Sequence, residues 1–303
     1  MTDKRLQCLR LLAATLALTI CVKVQAQGWR DVVPVDSSDE ANSSSYVPFS
    51  LPTGDPTQRY QQVYRANNFG GPALAGGGVW LDHIYFRADT TNHFLSGPLM
   101  EDVQVNLSTT LRGPDGLSPV FADNVGADDK LVFGRGSLRF VVDWHPAPGP
   151  QNFSFAIPFS PPFFYDPANG NLLLDVRIFQ VTNTSPYGPL PLDAWDRTND
   201  PVSSLWATSV DANSGTLSTV GLATAFEGQL VSKLGFQQST NRLTLSWTAQ
   251  YDYRLQQTNA LGTGCCWQTI TNGIVQTNFV NRFTIPFDSM AAAAFFRLVF
   301  GSP

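Results

Sequence analysis

Val103, Val105 and Leu107 alternate with Gln104, Asn106 and Ser108, the two-residue period of a strand with one buried face and one wet face. Similar short runs recur at residues 79–87, 130–133, 137–144, 152–157, 172–179 and 205–210. Clusters of Gly, Pro, Asn and Asp separate them, at Gly113-Pro114-Asp115-Gly116, 146–150 and 166–171, and these residue types supply turn geometry. No helical period lies between the runs. The pattern restricts the chain to an all-β fold, a sandwich or a barrel. Residue choice agrees. Beyond residue 26 only Lys130 and Lys233 are lysines, and Glu40, Glu101 and Glu227 are the only glutamates in the chain, so the charged residues that favour helix interiors are nearly missing.

The first 26 residues read as a secretory signal. Lys4, Arg5 and Arg10 precede an uncharged apolar run from Leu11 to Val22, and Val24-Gln25-Ala26 carries the small residues of a cleavage site. Twelve apolar residues fall short of the roughly 20 a spanning helix needs, so no membrane span is expected, and the mature protein starts at Gln27. Cys21 follows Ile20 rather than the small residue that a lipid-anchor signal requires. Removing residues 1–26 takes away four of the 19 basic residues and one of the 24 acidic ones, leaving a net charge of −8. Such an acidic chain has no electrostatic attraction for nucleic acid. The expected location is secreted, extracellular or periplasmic.

Residues 27–56 include the polar run Asp36-Ser37-Ser38-Asp39-Glu40 and read as a flexible leader. Residues 57–228 suit a jelly-roll-like sandwich. Residues 229–303 begin a second module. There Leu243, Leu245 and Trp247 alternate, then Tyr251, Tyr253 and Leu255, and at least five strands fit a small immunoglobulin-like or fibronectin-like sandwich. Cys265 and Cys266 are the only cysteines beyond the signal. Being adjacent, they cannot form an ordinary disulfide with each other, which leaves thiols, a vicinal ring or a bridge to a second molecule.

The segments Arg59-Tyr60-Gln61-Gln62-Val63-Tyr64, Phe121-Ala122-Asp123-Asn124-Val125-Gly126-Ala127-Asp128-Asp129 and Gly170-Asn171-Leu172-Leu173-Leu174-Asp175-Val176 resemble core motifs of uncharacterised secreted proteins of environmental bacteria. The C-terminal part is similar to a module ending in Phe-Phe-Arg-Leu, here Phe295 to Leu298, after a Leu-Ser-Trp strand at Leu245 to Trp247. The resemblance implies secretion and a β-sandwich. It carries no activity and no functional residue.

Chemistry-bearing motifs are scarce. The sequence contains no Gly-x-Ser-x-Gly elbow, no His-Glu-x-x-His and no phosphate-binding glycine loop. His83, His93 and His145 are the only histidines, and no catalytic residue is assigned. Glu101 and Asp102 are neighbours on an expected strand and so point to opposite faces, which is unsuited to paired-carboxylate catalysis. The densest acidic group, Asp123, Asn124, Asp128 and Asp129, supplies the oxygen-donor types that Ca²⁺ takes; a solvated Asx-type turn is the plainer reading. Residues 184–202 read as a long loop in which Tyr187 and Trp195 lie beside Asp193 and Asp196. An aromatic face next to carboxylates suits a sugar, against the alternative of Trp195 plugging the sandwich end. The expected function is therefore a secreted, non-catalytic binding or scaffold protein with polysaccharide as ligand. The alternatives are a structural or adhesive extracellular component and a glycan-active hydrolase with a dispersed site; the expected partners are a polysaccharide or a cell-surface component.

Overall fold

The computed structural model describes residues 7–13, 16–22, 27–34, 41–49, 57–69, 77–89, 96–141, 150–182, 191–231, 234–249, 253–261, 266–277, 280–287 and 294–300. Among them the fold is nearly all β and holds no α-helix. Among the described residues no helix is long and apolar enough to cross a membrane. Two compact units divide the chain, one of Gly28–Gly71 with Val79–Gln229 and one of Leu230–Pro303 with Met1–Gln27 and Pro72–Gly78.

At the N-terminus β1 (Gln7–Ala13) and β2 (Leu16–Val22) pair antiparallel, from Gln7 opposite Val22 to Ala13 opposite Leu16. The apolar run read as an export signal is thus extended here. Its Thr19, Ile20 and Val22 are β-branched, which suits strand over helix.

The larger unit is built from β3 (Gln27–Val33), β4 (Ser43–Ser45), β5 (Gln58–Tyr64), β6 (Val79–Phe86), β7 (Ser96–Thr110), β8 (Lys130–Val141), β9 (Phe155–Tyr165), β10 (Asn171–Thr182), β11 (Leu192–Asp196), β12 (Val202–Ala207), β13 (Thr216–Ser218), β14 (Val220–Leu222) and β15 (Thr224–Leu230). One sheet runs β13-β12-β5-β10-β7-β8. A second runs β3-β15-β6-β9, and a three-stranded sheet runs β14-β11-β4. The chain crosses repeatedly between sheets, from β5 to β6, back to β7, and from β8 to β9 and back to β10. That alternation makes the jelly-roll-like sandwich.

The sheets meet through an aromatic core. Tyr64 packs edge-on to Phe226 with ring centroids 5.0 Å apart, and its phenol oxygen lies 2.9 Å from Thr224 Oγ1. Phe69 packs on Tyr165 at 4.9 Å and Phe49 on Phe86 at 5.1 Å. Such pairs add about 0.5–1.5 kcal/mol each beyond the area they bury. Polar Gln62 is wholly buried, yet satisfied. Its amide donates to Leu222 O (2.9 Å) and accepts from Leu222 N (2.8 Å), so the side chain extends the β14 ladder and ties it to β5.

Three boundaries differ from the sequence pattern. The stretch read as a flexible leader contains β3 and β4, which pair with β15 and β11. The expected strand at 152–157 runs on through Pro158, Pro161 and Pro162 to Tyr165. β9 ends its sheet, and an edge strand tolerates residues that cannot donate to a ladder. The expected strands at 130–133 and 137–144 are joined in one strand, β8, whose register against β7 shifts near Gly134 and Gly136.

The smaller unit holds β16 (Gly235–Gln238), β17 (Arg242–Thr248), β18 (Tyr253–Thr258), β19 (Gln268–Thr269), β20 (Ile274–Thr277), β21 (Val280–Pro286) and β22 (Phe295–Phe300). Sheets β16-β17-β21-β20 and β19-β18-β22 reproduce the four-plus-three division of an immunoglobulin-like sandwich. Leu243, Leu245 and Trp247 of β17 meet Tyr253, Leu255, Phe296 and Leu298 in its core.

Candidate functional site

Three of the residues expected to form a sugar platform, Asp193, Trp195 and Asp196, stand on a strand and not on an open loop. Tyr187 falls outside the described residues. Residues 192–196 form strand β11, so 184–202 is not one continuous loop. Asp193 is buried and accepts from Arg87 Nε at 2.5 Å and from Ala41 N at 3.2 Å. It is an internal ion-pair partner and presents nothing to a ligand. Burial pushes its carboxyl up to about 6, against the opposing pull of Arg87. Trp195 is half-buried, its indole nitrogen is enclosed, and the Arg197 guanidinium sits 5.4 Å from its ring centroid. Asp196 is exposed but accepts from Thr219 Oγ1 at 2.6 Å.

The acidic group expected to take Ca²⁺ is likewise engaged elsewhere. Asn124 is fully buried; it accepts from Ser118 N (2.8 Å) and donates to Gln61 Oε1 (3.0 Å) and Ser118 O (2.9 Å). Asp123 accepts from Ser118 Oγ, Asp128 from Thr109 N at 2.7 Å, and Asp129 from Asn106 Nδ2 at 3.0 Å. Among the described residues no three carboxylate, His or Cys side chains gather where they could hold a metal ion. Asn124, Asp128 and Asp129 pin the 111–129 segment to the sheet beneath it, and Asp123 ties the segment to its own Ser118. His93, His145 and Cys265 lie outside the described residues, and Cys266 is exposed.

The structure brings a different group together, on the outward face of sheet β3-β15-β6-β9. Val79, Leu81, Ile84 and Phe86 of β6 point inward and are fully buried. Trp80 therefore points outward, and it is 41% exposed. Phe164, directly opposite on β9, packs against it with ring centroids 5.1 Å apart. A register shift between Leu81 and His83 then turns both Asp82 and His83 toward solvent, as bulges commonly re-aim side chains. His83 stacks on Tyr85 at 5.8 Å, and its Nδ1 lies 2.9 Å from Asp82 Oδ1. The two aromatic pairs are three residues apart along β6, about 10 Å.

Charged groups flank the rings. Tyr85 donates to Glu227 Oε2 at 2.7 Å, Arg30 bonds Glu227 Oε1 at 2.8 Å, and the Arg30 guanidinium lies 5.0 Å from the Tyr85 centroid. Burial, then the hydrogen bond and charge of Glu227, push the Tyr85 phenol up to about 12, so it stays a donor at any physiological pH. At the other end Lys130 Nζ sits 5.8 Å from the Trp80 centroid, held by Pro162 O at 2.9 Å. Gly228 of β15 permits this packing: a Cβ there would meet Trp80 O at 2.2 Å. The result is a mixed face with ring surfaces and both donors and acceptors.

Sequence reasoning missed this group, although half of it was visible. A tryptophan between Val79 and Leu81 in an alternating strand must face outward. Phe164 lay beyond three prolines, where the strand pattern stopped being legible.

No known protein family, curated protein or solved structure matches the chain. The site therefore rests on its own geometry.

Proposed function

We propose that this is a secreted, non-catalytic glycan-binding protein that holds a polysaccharide on the outward face of β6 and β9. The supporting observation is the exposed Trp80 packed on Phe164 across neighbouring strands. A large exposed aromatic packed on a second ring, with further rings along the same strand, is the kind of patch that marks a binding surface. Ring faces cover the C–H surfaces of a sugar, while Asp82, His83, Glu227 and Arg30 offer hydrogen bonds to its hydroxyls. The rings run along neighbouring strands, which suits an extended polymer. Arg30 and Glu227 neutralise one another, favouring a neutral glycan.

The test is retention of the mature protein on insoluble polysaccharides (cellulose, chitin, xylan, starch) before and after Trp80→Ala. Binding to at least one polymer, lost in Trp80→Ala and kept in Trp195→Ala, supports the reading. Retention that depends on Trp195 and ignores Trp80 returns the site to the β11 region. No retention on any neutral polymer overturns the proposal.

A further inference from the structure

On the opposite side of the same sandwich a second site is built into the outward face of sheet β13-β12-β5-β10-β7-β8. Residues alternate along each strand, and register places Arg59 opposite Arg177, Gln61 opposite Asp175, and Asp175 opposite Asn106. These polar groups share the outward face. The 111–129 segment covers part of it: Leu117 and Phe121 pack on Val63, Leu173 and Leu205 as a small separate core. Where that cover ends, Arg59, Asn106, Asp129, Asp175 and Arg177 line a cavity of about 350 Å³, with Ala122 and Val125 as its wall.

The cavity lining is held from behind and incomplete in front. Asp175, only 6% exposed, receives Gln61 Nε2 (2.7 Å) and Arg59 Nη2 (3.1 Å), both on Oδ2. Its Oδ1 is enclosed with no hydrogen-bond partner among the described residues, and Arg177 Nε stands off at 3.9 Å. Arg59 is fixed by Ala212 O (3.2 Å) and by the Phe121 ring 4.4 Å from its guanidinium carbon, yet its Nε is also unpartnered. Buried polar groups are almost always paired, and leaving one unpaired costs about 1–3 kcal/mol. Here an unmet acceptor and an unmet donor belong to two residues that line one cavity. The space exceeds the roughly 30 Å³ share of a single water by tenfold. Two arginines face two aspartates, so the lining has no net charge to select an ion.

We propose that this cavity binds a neutral, monosaccharide-sized polyol above the enclosed Asp175–Arg59 pair, one hydroxyl donating to Asp129 and another oxygen accepting from Arg177 at the open rim. A vicinal diol carries both functions on adjacent carbons. The site is independent of the aromatic face, and neither depends on the other being occupied.

The experiment is saturation-transfer NMR and calorimetry on the full mature protein with glucose, galactose, mannose and glycerol, and with glucuronate and glycine as charged and zwitterionic counterparts. Arg177→Gln and Asp129→Asn alter the rim without removing a buried pairing partner; circular dichroism confirms that both variants keep the wild-type fold. The expected result is binding of a neutral polyol, weakened at least about tenfold by Arg177→Gln, the scale of a lost hydrogen bond to a charged group, and unchanged by Trp80→Ala. Loss with Trp80→Ala would assign the signal to the aromatic face and overturn the cavity. Preference for glucuronate or glycine would overturn the neutral class. Equal binding by wild type and both rim variants, or no binding of any polyol, means that the cavity holds water alone.

Discussion

The two outward faces of the larger sandwich use similar strands in opposite ways. The six-stranded sheet is roofed by the 111–129 segment, so even Gln61 on its outward side is buried and every residue of β5 is enclosed. Among the described residues no segment covers Trp80 on the four-stranded sheet, where it is 41% exposed. A covered face turns side chains into structure. Three of the Asp and Asn residues of the segment, which in sequence resemble metal ligands, serve there as pins to Gln61, Thr109 and Asn106 of the sheet. An open face leaves its aromatics to find partners elsewhere, and that difference separates the proposed polymer face on one side from a small cavity on the other.

Removing the roof should have the largest effect. Phe121→Ala empties the centre of the covering core and should cost about 3–5 kcal/mol in urea unfolding, as other buried Phe truncations do. A loss below about 1 kcal/mol would show that the segment rests on the sheet without being packed into it.

The interior between the faces should reveal itself through pH. The folded-state carboxyl of Asp193 is raised from 3.8 to about 6, chiefly by burial. Between those values the folded protein holds a proton that the unfolded chain releases. Stability should therefore fall as pH rises from about 4 to 6, by up to about 3 kcal/mol from this group. Denaturation midpoints of Asp193→Asn, compared with wild type across that window, isolate the contribution. An unchanged slope in the variant would contradict it.

Gly126→Ala should follow, at about 1–3 kcal/mol of overpacking. A Cβ there would stand 1.8 Å from Thr109 O, so the segment would have to lift from β7. Trp80→Ala should have the smallest effect on folding. It is the same kind of aromatic truncation as Phe121→Ala, on the open face with 41% of its surface in water, and should cost less, about 1–2 kcal/mol for the area it covers. The ratio of the two aromatic truncations is the comparison expressed as one number.

Much of this fold was legible from period and punctuation. The strands around 79–87, 103–108 and 172–179 stand where alternation placed them, because one face of each is buried. β5 was not legible as a strand: Gln-Arg-Tyr-Gln-Gln-Val-Tyr offers little apolar alternation, since its polar side chains are satisfied by partners distant in sequence, such as Leu222 and Asp175. β11 was hidden for a related reason. Its ladder partners, β4 and β14, lie about 150 residues before it and some 25 after it in the chain. The candidate site was half legible. Trp80 follows from local alternation, whereas Phe164, Glu227 and Arg30 reach it only through strand order.

Hydroxyl-radical footprinting of side chains, with and without a retained polysaccharide, tests the central claim most directly. Trp80, Phe164 and Tyr85 should lose labelling together on addition of the polymer, while Trp195 and Trp267 stay as they were. Protection centred on Trp195 or Trp267, with Trp80 still fully labelled under saturating polymer, would contradict the assignment of the binding face.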